Sequence, residues 1–309
     1  MDRILYGGMS RGELNIFAGG SGSGKSLVMM NLALSWLQMG MSGVYITLEL
    51  SEELTSLRTD AMLTMMGTKA IRKDIDTTEL RVKMAGKKAG KYRVKNLPAQ
   101  SNVNDIRAYL KEVQIQTGIK IDFVMVDYLD LVMPVSVKVN PNDQFIKDKY
   151  VAEELRNLSK ELGILLVTAS QLNRSAVDEI EFDHSHIAGG ISKINTADNV
   201  FGIFTSRSMR ERGKYQIQCM KSRSSTGVGM KIDLEYDVET MRISDPGVDG
   251  EQSYTPKPSA NDIMSTLKPQ ATVTDYTVDQ TTGEITMEPL TRTVHADVQG
   301  SKFKSLLNS

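Results

Sequence analysis

The sequence predicts an α/β fold: a mostly parallel central sheet flanked by helices, with antiparallel strands at one edge. Three observations carry this. Gly19-Gly20-Ser21-Gly22-Ser23-Gly24-Lys25-Ser26 fits G-x-x-x-x-G-K-[ST] and stands between an apolar run and a helical one. Short, mostly apolar runs alternate with amphipathic stretches up to about residue 198. Beyond that point strand-like runs follow one another at close spacing. Buried strands joined by helices imply parallel pairing with right-handed crossovers.

The elements follow in order. Leu14 to Ala18 is an apolar run that enters the Gly/Ser loop. Leu27 to Leu37 reads as a buried helix, ended by Gly40 and Gly43. Val44 to Leu48 is a second strand, and Ser51 caps a helix that starts at Glu52. Tyr92 to Leu97 reads as a strand ending at Pro98, and Ser101 as the cap of a helix over 102–117. Ile121 to Val126, apolar but for Asp122, reads as a buried strand. Val151, Leu155, Leu158 and Leu162 fall at helical spacing, which predicts a helix over 147–162. Ile164 to Ala169 is another buried strand. Residues 199–205, 214–222, 228–236 and 240–244 read as successive strands at the antiparallel edge.

Composition divides the chain of 309 residues near Asp245. Five of the eight prolines lie beyond it, and residues 246–309 carry 5 basic and 8 acidic side chains. Residues 1–245 carry 32 basic and 30 acidic. The first part is expected to be one domain and 246–309 a mostly disordered polar tail. A local hairpin signal interrupts the tail, where Thr274, Tyr276 and Val278 alternate ahead of Ile285 and Met287.

The net charge of −1 gives no overall pull toward nucleic acid, so any such contact must be local. The single cysteine, Cys219, rules out an intramolecular disulfide and fits a reducing, cytoplasmic setting. No apolar run reaches the ~18 residues that span a bilayer, so no membrane association is expected.

The glycines of Gly19–Ser26 leave backbone N–H groups free to wrap a phosphate, and the following helix adds its positive end. Lys25 can reach β- and γ-phosphates, and the Ser26 hydroxyl can ligate Mg²⁺. Asp127 ends the strand 121–126, at the crevice where open α/β sheets bind ligands, and can hold Mg²⁺ through water. ATP and Mg²⁺ are thus the expected ligands. Hydrolysis also needs a group that orients water. Tyr128 follows Asp127, so that group comes from elsewhere. Glu49, directly after strand 44–48, is the best placed, with Glu52 and Glu53 as rivals. Gln171 follows strand 164–169 and can report on the γ-phosphate.

Gly19–Ser26, Thr47-Leu48-Glu49-Leu50-Ser51, Val126-Asp127-Tyr128-Leu129, Ser170-Gln171-Leu172-Asn173-Arg174 and Lys221-Ser222-Arg223 stand in one order. Together they resemble the RecA-like ATPase domain of DnaB-type replicative helicases, and the bacteriophage members above all. The resemblance covers roughly residues 1–245. It implies a P-loop ATPase that forms a homo-hexamer, moves 5′→3′ on single-stranded DNA and separates duplex DNA. Primase and a helicase loader are the partners it implies. Glu49 becomes the catalytic glutamate, Asp127 the Walker B aspartate and Gln171 the sensor. Lys221 and Arg223 match paired basic fingers that reach a neighbour's ATP. The family's central-channel DNA loop falls on Asp183 to Lys193. Its Arg-Glu pair is missing here. Backbone N–H groups from Ala188 through Gly189 and Gly190 could grip phosphates, with Lys193 and Arg174 adding charge. The family also carries an N-terminal domain and linker, whereas Met1 stands only 18 residues before Gly19. A fragment or shortened form is therefore expected. The alternative readings are a recombination or regulatory ATPase that binds DNA without unwinding it, and a nucleotide-gated assembly module.

Other signals read as structural. The basic stretch 81–95 reads as a solvated helix face and loop. His184 and His186 lack further ligands, so no metal site is expected there. Cys219 reads as a packed residue.

Overall fold

The computed structural model describes residues 1–136, 143–171 and 191–247, and two short strands at 276–278 and 285–287. The chain divides into two compact units, Met1–Gly250 and Glu251–Ser309.

The first unit holds nine strands: β1 (Leu14–Gly19), β2 (Gly43–Thr47), β3 (Tyr92–Asn96), β4 (Phe123–Asp127), β5 (Leu165–Gln171), β6 (Asn199–Ile203), β7 (Lys214–Ser222), β8 (Lys231–Tyr236) and β9 (Ile243–Ser244). They form one sheet in the order β3-β2-β4-β5-β1-β6-β7-β8-β9. The six strands from β3 to β6 pair in parallel. The last three add antiparallel. The predicted fold class is therefore present, a RecA-like arrangement with an antiparallel edge.

The helices are α1 (Lys25–Gln38), α2 (Glu52–Thr64), α3 (Thr68–Lys73), α4 (Ile75–Gly86), α5 (Val103–Thr117), α6 (Gln144–Leu162), α7 (Ile191–Thr196) and α8 (Arg207–Glu211). Alternation along the strands builds two cores. Leu14, Ile16, Val44, Ile46, Val124, Val126 and Leu166 face Ile106 and Leu110 of α5 and Val151, Leu155 and Leu158 of α6. Phe17, Tyr45, Phe123, Met125 and Val167 face Met29, Met30, Ala33 and Leu34 of α1. Helices cover the two faces, which is why these strands are mostly apolar. The packing leaves Gly43 no room for a side chain, since a Cβ there would meet the Phe123 ring at 2.3 Å.

Some boundaries differ from those read in the sequence. Helix α1 begins at Lys25, straight out of the Gly/Ser loop, and α6 begins at Gln144. The cap of α5 is Asn102, not Ser101. Asn102 accepts the Asn104 and Asp105 N–H groups while Asp105 accepts the Asn102 N–H. The Ser101 hydroxyl instead donates to the Pro98 carbonyl at 2.7 Å. Helices α3 and α4 were not separable in the sequence, because Ile75, Leu80 and Met84 of α4 are exposed and mark no buried face. The basic stretch 81–95 comprises the end of α4, a turn and part of the edge strand β3.

In the second unit, Tyr276–Val278 (β10) pairs antiparallel with Ile285–Met287 (β11). These are the strands of the hairpin signal. Its turn and the rest of the tail lie outside the described residues. Among the described residues no helix is long and apolar enough to cross a membrane.

Candidate active site

Parallel register brings the strand ends to one edge of the sheet. Gly19 of β1 lies beside Gln171 of β5, and Thr47 of β2 beside Asp127 of β4. Two residues beyond β2 comes Glu49. The result is a cleft of about 290 Å³ lined by the phosphate loop, Glu49, Asp127, Tyr128 and Gln171, with Arg58 and Arg210.

The loop has the backbone that its glycines permit. Gly22 and Gly24 have φ of 70° and 95°, in the left-handed region. A Cβ on Gly24 would also meet the Tyr215 hydroxyl at 3.1 Å. That hydroxyl donates to the carbonyls of Ser23 and Gly24 at 3.3 and 3.2 Å, fixing the turn into α1. Lys25 Nζ donates to the Gly19 and Gly20 carbonyls at 3.0 and 2.9 Å. Burial holds its pKa below the usual lysine value, against the charges of Asp130, Asp127 and Glu49. A half-buried cation at the first turn of α1, behind a glycine-rich loop, is suited to a polyanion.

Asp127 is 1% exposed. Its Oδ2 accepts the Tyr45 hydroxyl at 2.7 Å, while Oδ1 has no partner in the protein. Burial raises its pKa, opposed by the neighbouring hydroxyls of Ser26 and Tyr45 and by the charge of Lys25. The hydroxyl and carboxylate oxygens of Ser26 and Asp127 form a hard-donor pair beside the loop.

Glu49 is exposed into the cleft. Thr47 shapes its turn, since its hydroxyl accepts the Leu50 N–H at 2.9 Å and donates to the Leu50 carbonyl at 3.0 Å. Of its rivals, Glu52 is turned away. It accepts the Asn96 N–H at 2.9 Å and lies 3.2 Å from Lys95 Nζ, the backbone bond being the larger cause of its lowered pKa. Glu53 is in the first turn of α2 and does not line the cleft. Ser51 caps α2 as expected, accepting the Leu54 N–H at 3.2 Å. The Gln171 N–H is held by Asp130 Oδ2 at 3.0 Å, and its side chain is exposed on the cleft.

Lys221 and Arg223 lie elsewhere. Lys221 pairs across β6 with Val200, which pairs with Ile16. Arg223 is two residues further, its N–H on the Asp198 carbonyl at 3.0 Å. Arg223 therefore sits at the level where β1 begins, and Lys221 midway along it. The phosphate loop opens at the far end of β1, roughly 16 Å beyond the level of Arg223 and roughly 10 Å beyond that of Lys221 at the usual rise per residue. Lys221 Nζ donates to the Asn195 and Ala197 carbonyls at 2.9 and 2.8 Å. Burial, then the charge of Arg223, lowers its pKa to about 8. Arg223 donates to the Asn195 carbonyl at 2.6 Å.

The expected channel-loop residues give a different result. Arg174, Ala188, Gly189 and Gly190 lie outside the described residues. Lys193 is described and does not stand open to a polymer. It is 2% exposed on α7, with its ammonium between Asp130 and Asp148. Burial alone would lower its pKa, but the two carboxylates hold it above the usual value. A lysine with two buried carboxylate partners satisfies its charge inside the protein, so it corrects the expectation of a phosphate contact.

Sequence reasoning missed Arg58 and Arg210. Arg58 is the one cation on α2, a signal that could have marked it. Arg210 donates to the Gly22 carbonyl of the phosphate loop. It stands in the run Arg207-Ser208-Met209-Arg210-Glu211-Arg212, where no spacing singles it out.

The family described as DnaB-like helicase C-terminal domain matches residues 1–245. The chain belongs to that family. The DnaB-like match takes in all nine strands of the main sheet and every candidate residue named above. A DnaB-like replicative helicase of Enterobacteria phage T4 is 29% identical over 229 residues, which is 72% of this chain and 48% of that protein. The replicative DNA helicase DnaB of Helicobacter pylori is 28% identical over 171 residues, 54% of this chain and 34% of its own length. The chain thus spans about half the length of the phage relative, or less for the bacterial one. Two solved structures share the DnaB-like fold. One is a DnaB-like replicative helicase described with its interactions with primase, at TM-score 0.67 and 17% identity, covering 79% of this chain and 61% of that one. The other is the ATPase domain of G40P, at TM-score 0.65 and 18% identity, covering 79% of this chain and 88% of that one.

Proposed function

We propose that residues 1–245 form an ATP-driven motor that assembles as a homo-hexameric ring, moves 5′→3′ along single-stranded DNA and separates duplex strands. The observation that carries this is a division of the catalytic set between two ends of one sheet. The phosphate loop, Glu49, Asp127 and Gln171 converge on one cleft. Lys221 and Arg223 lie outside that cleft, their cationic groups bonded to the Asn195 and Ala197 carbonyls. A cleft that lacks its own finger cations is completed when a neighbouring copy presents that far end, and an arginine supplied in trans stabilises transition-state charge.

Within the cleft the roles follow from position. The loop N–H groups and Lys25 hold the β- and γ-phosphates. Asp127 Oδ1, partnerless and beside Ser26, fits Mg²⁺, which takes one or two carboxylates and retains water. When bound, Mg²⁺ supplies charge neutralisation at the phosphates. Glu49, exposed at the cleft edge, orients and deprotonates the attacking water. Gln171 senses the γ-phosphate. Single-stranded DNA and a primase are the partners this reading implies, with a loader to place the ring.

Two variants test the ATPase assignment. Glu49→Gln is expected to keep nucleotide affinity and lose turnover by about 10²- to 10³-fold. Lys25→Ala is expected to lose binding itself. Turnover unchanged in Glu49→Gln, measured by phosphate release, contradicts the assignment.

A further inference from the structure

We infer that Asp130 is a positioning residue that ties the nucleotide cleft to helix α7. It lies three residues past Asp127, in the 3-10 turn Leu129–Leu131. One carboxylate oxygen, Oδ2, accepts the backbone N–H of Gln171 at 3.0 Å. The other, Oδ1, accepts the ammonium of Lys193. Gln171 is the last residue of β5 and faces the cleft, while Lys193 belongs to α7. A single side chain thus holds a sensor residue on one side and a separate helix on the other.

The surroundings make this contact stiff. Lys193 is 2% exposed, Asp130 9% and Asp148 1%. Asp148 of α6 shares the ammonium at 2.8 Å, and Lys147 donates to the Asp130 carbonyl. Buried charges in a low-dielectric interior lose much if they separate. A shift of Gln171 is therefore passed to α7 rather than absorbed at the turn. The chemistry of Asp130 is specific to this double contact. An asparagine offers one acceptor oxygen and one NH₂ donor. Since both partners of Asp130 are donors, Asp130→Asn must lose one of them. Asp148→Asn leaves both contacts of Asp130 intact and, since one acceptor oxygen suffices for its bond to Lys193, removes only a charge beside the ammonium.

The test is hydrogen exchange of the full chain, with and without Mg²⁺ and a non-hydrolysable ATP analogue. Exchange in α7 is expected to slow about fivefold on binding in the wild type and in Asp148→Asn, in the range of coupling between connected sites. In Asp130→Asn this response is expected to vanish, while protection of the phosphate loop on binding persists. An unchanged α7 response in Asp130→Asn, an equal loss in Asp148→Asn, or no response in the wild type overturns the proposal. Should Asp130→Asn fail to fold, Lys193→Met, which breaks only the α7 side, carries the same expectation and the same refutation. A second readout rests on the motor reading: the ratio of DNA-stimulated to basal hydrolysis is expected to fall in Asp130→Asn and to hold in Asp148→Asn. Absence of DNA stimulation in the wild type counts against the motor reading alone, and the exchange result still decides the role of Asp130.

Discussion

Replacing Tyr45 by Phe removes one hydroxyl and little else. That hydroxyl donates to Asp127 Oδ2 at 2.7 Å, and the other carboxylate oxygen has no partner. The variant therefore leaves a fully buried carboxylate with the Ser26 hydroxyl as its one remaining neighbouring hydroxyl. Losing a hydrogen bond to a buried charged acceptor costs about 2 kcal/mol. For a domain of this size that is roughly 4–8 °C in Tm. The effect carries a pH signature. Burial raises the Asp127 pKa above the ordinary carboxylate value. The native state therefore holds its proton to higher pH than the unfolded chain. Stability from this group is greatest below the ordinary value, about pH 4, and declines as pH rises through the elevated native value. Tyr45 favours the charged form and so limits the decline. Its removal is expected to be small near about pH 4 and to reach its full size at neutral pH. Urea unfolding of wild type and Tyr45→Phe across pH, without nucleotide, measures this. A loss under about 0.5 kcal/mol at neutral pH, or one that does not vary with pH, refutes the reasoning.

Two further outcomes follow from the far end of the sheet. Arg223→Ala is expected to bind ATP normally and lose turnover by about 10³-fold. Mixing it with Lys25→Ala is expected to restore part of the activity, because some boundaries then pair an intact loop with an intact finger, and mixtures as inactive as either parent contradict supply in trans. Asp198→Asn tests the support beneath the fingers. Asp198 accepts Arg156 at 2.8 and 2.6 Å and the Leu14 N–H at 2.9 Å. Burial alone would raise its pKa, but these partners hold it below the usual range. Its stabilisation is present above the ordinary carboxylate value and is lost as pH falls through the depressed native one. The variant is expected to lose roughly 2–3 kcal/mol at neutral pH and to converge on wild type as pH falls through the depressed native value, read by thermal unfolding.

What the sequence disclosed followed from how strongly each residue is constrained. The parallel strands were legible because both faces are covered, so Val44 to Leu48 is interrupted only by Thr47 and Ile121 to Val126 only by Asp122. Their carboxyl ends then placed Glu49, Asp127 and Gln171 on one edge without any further information. Helix α4 escaped because Ile75, Leu80 and Met84 are exposed and leave no periodic face, and α3 because it buries a single apolar residue, Ile71. The α5 cap was misplaced by one residue, since Ser101 and Asn102 are both capable acceptors and only the geometry at Pro98 separates them. Lys193 was read from its position as a phosphate contact. Its true partners, Asp130 and Asp148, are 63 and 45 residues away in sequence, and no local pattern links them. Arg58 and Arg210 reach the cleft for the same reason, through tertiary placement alone.

The central claim is that this cleft drives strand separation. A forked DNA duplex with a free 5′ tail, incubated with the full chain, ATP and Mg²⁺, tests it most directly. The account predicts displacement of the annealed strand by the wild type and none by Lys25→Ala. DNA-stimulated hydrolysis with no strand displaced, at concentrations where the chain assembles into rings, would contradict it and favour an ATPase that binds DNA without unwinding it.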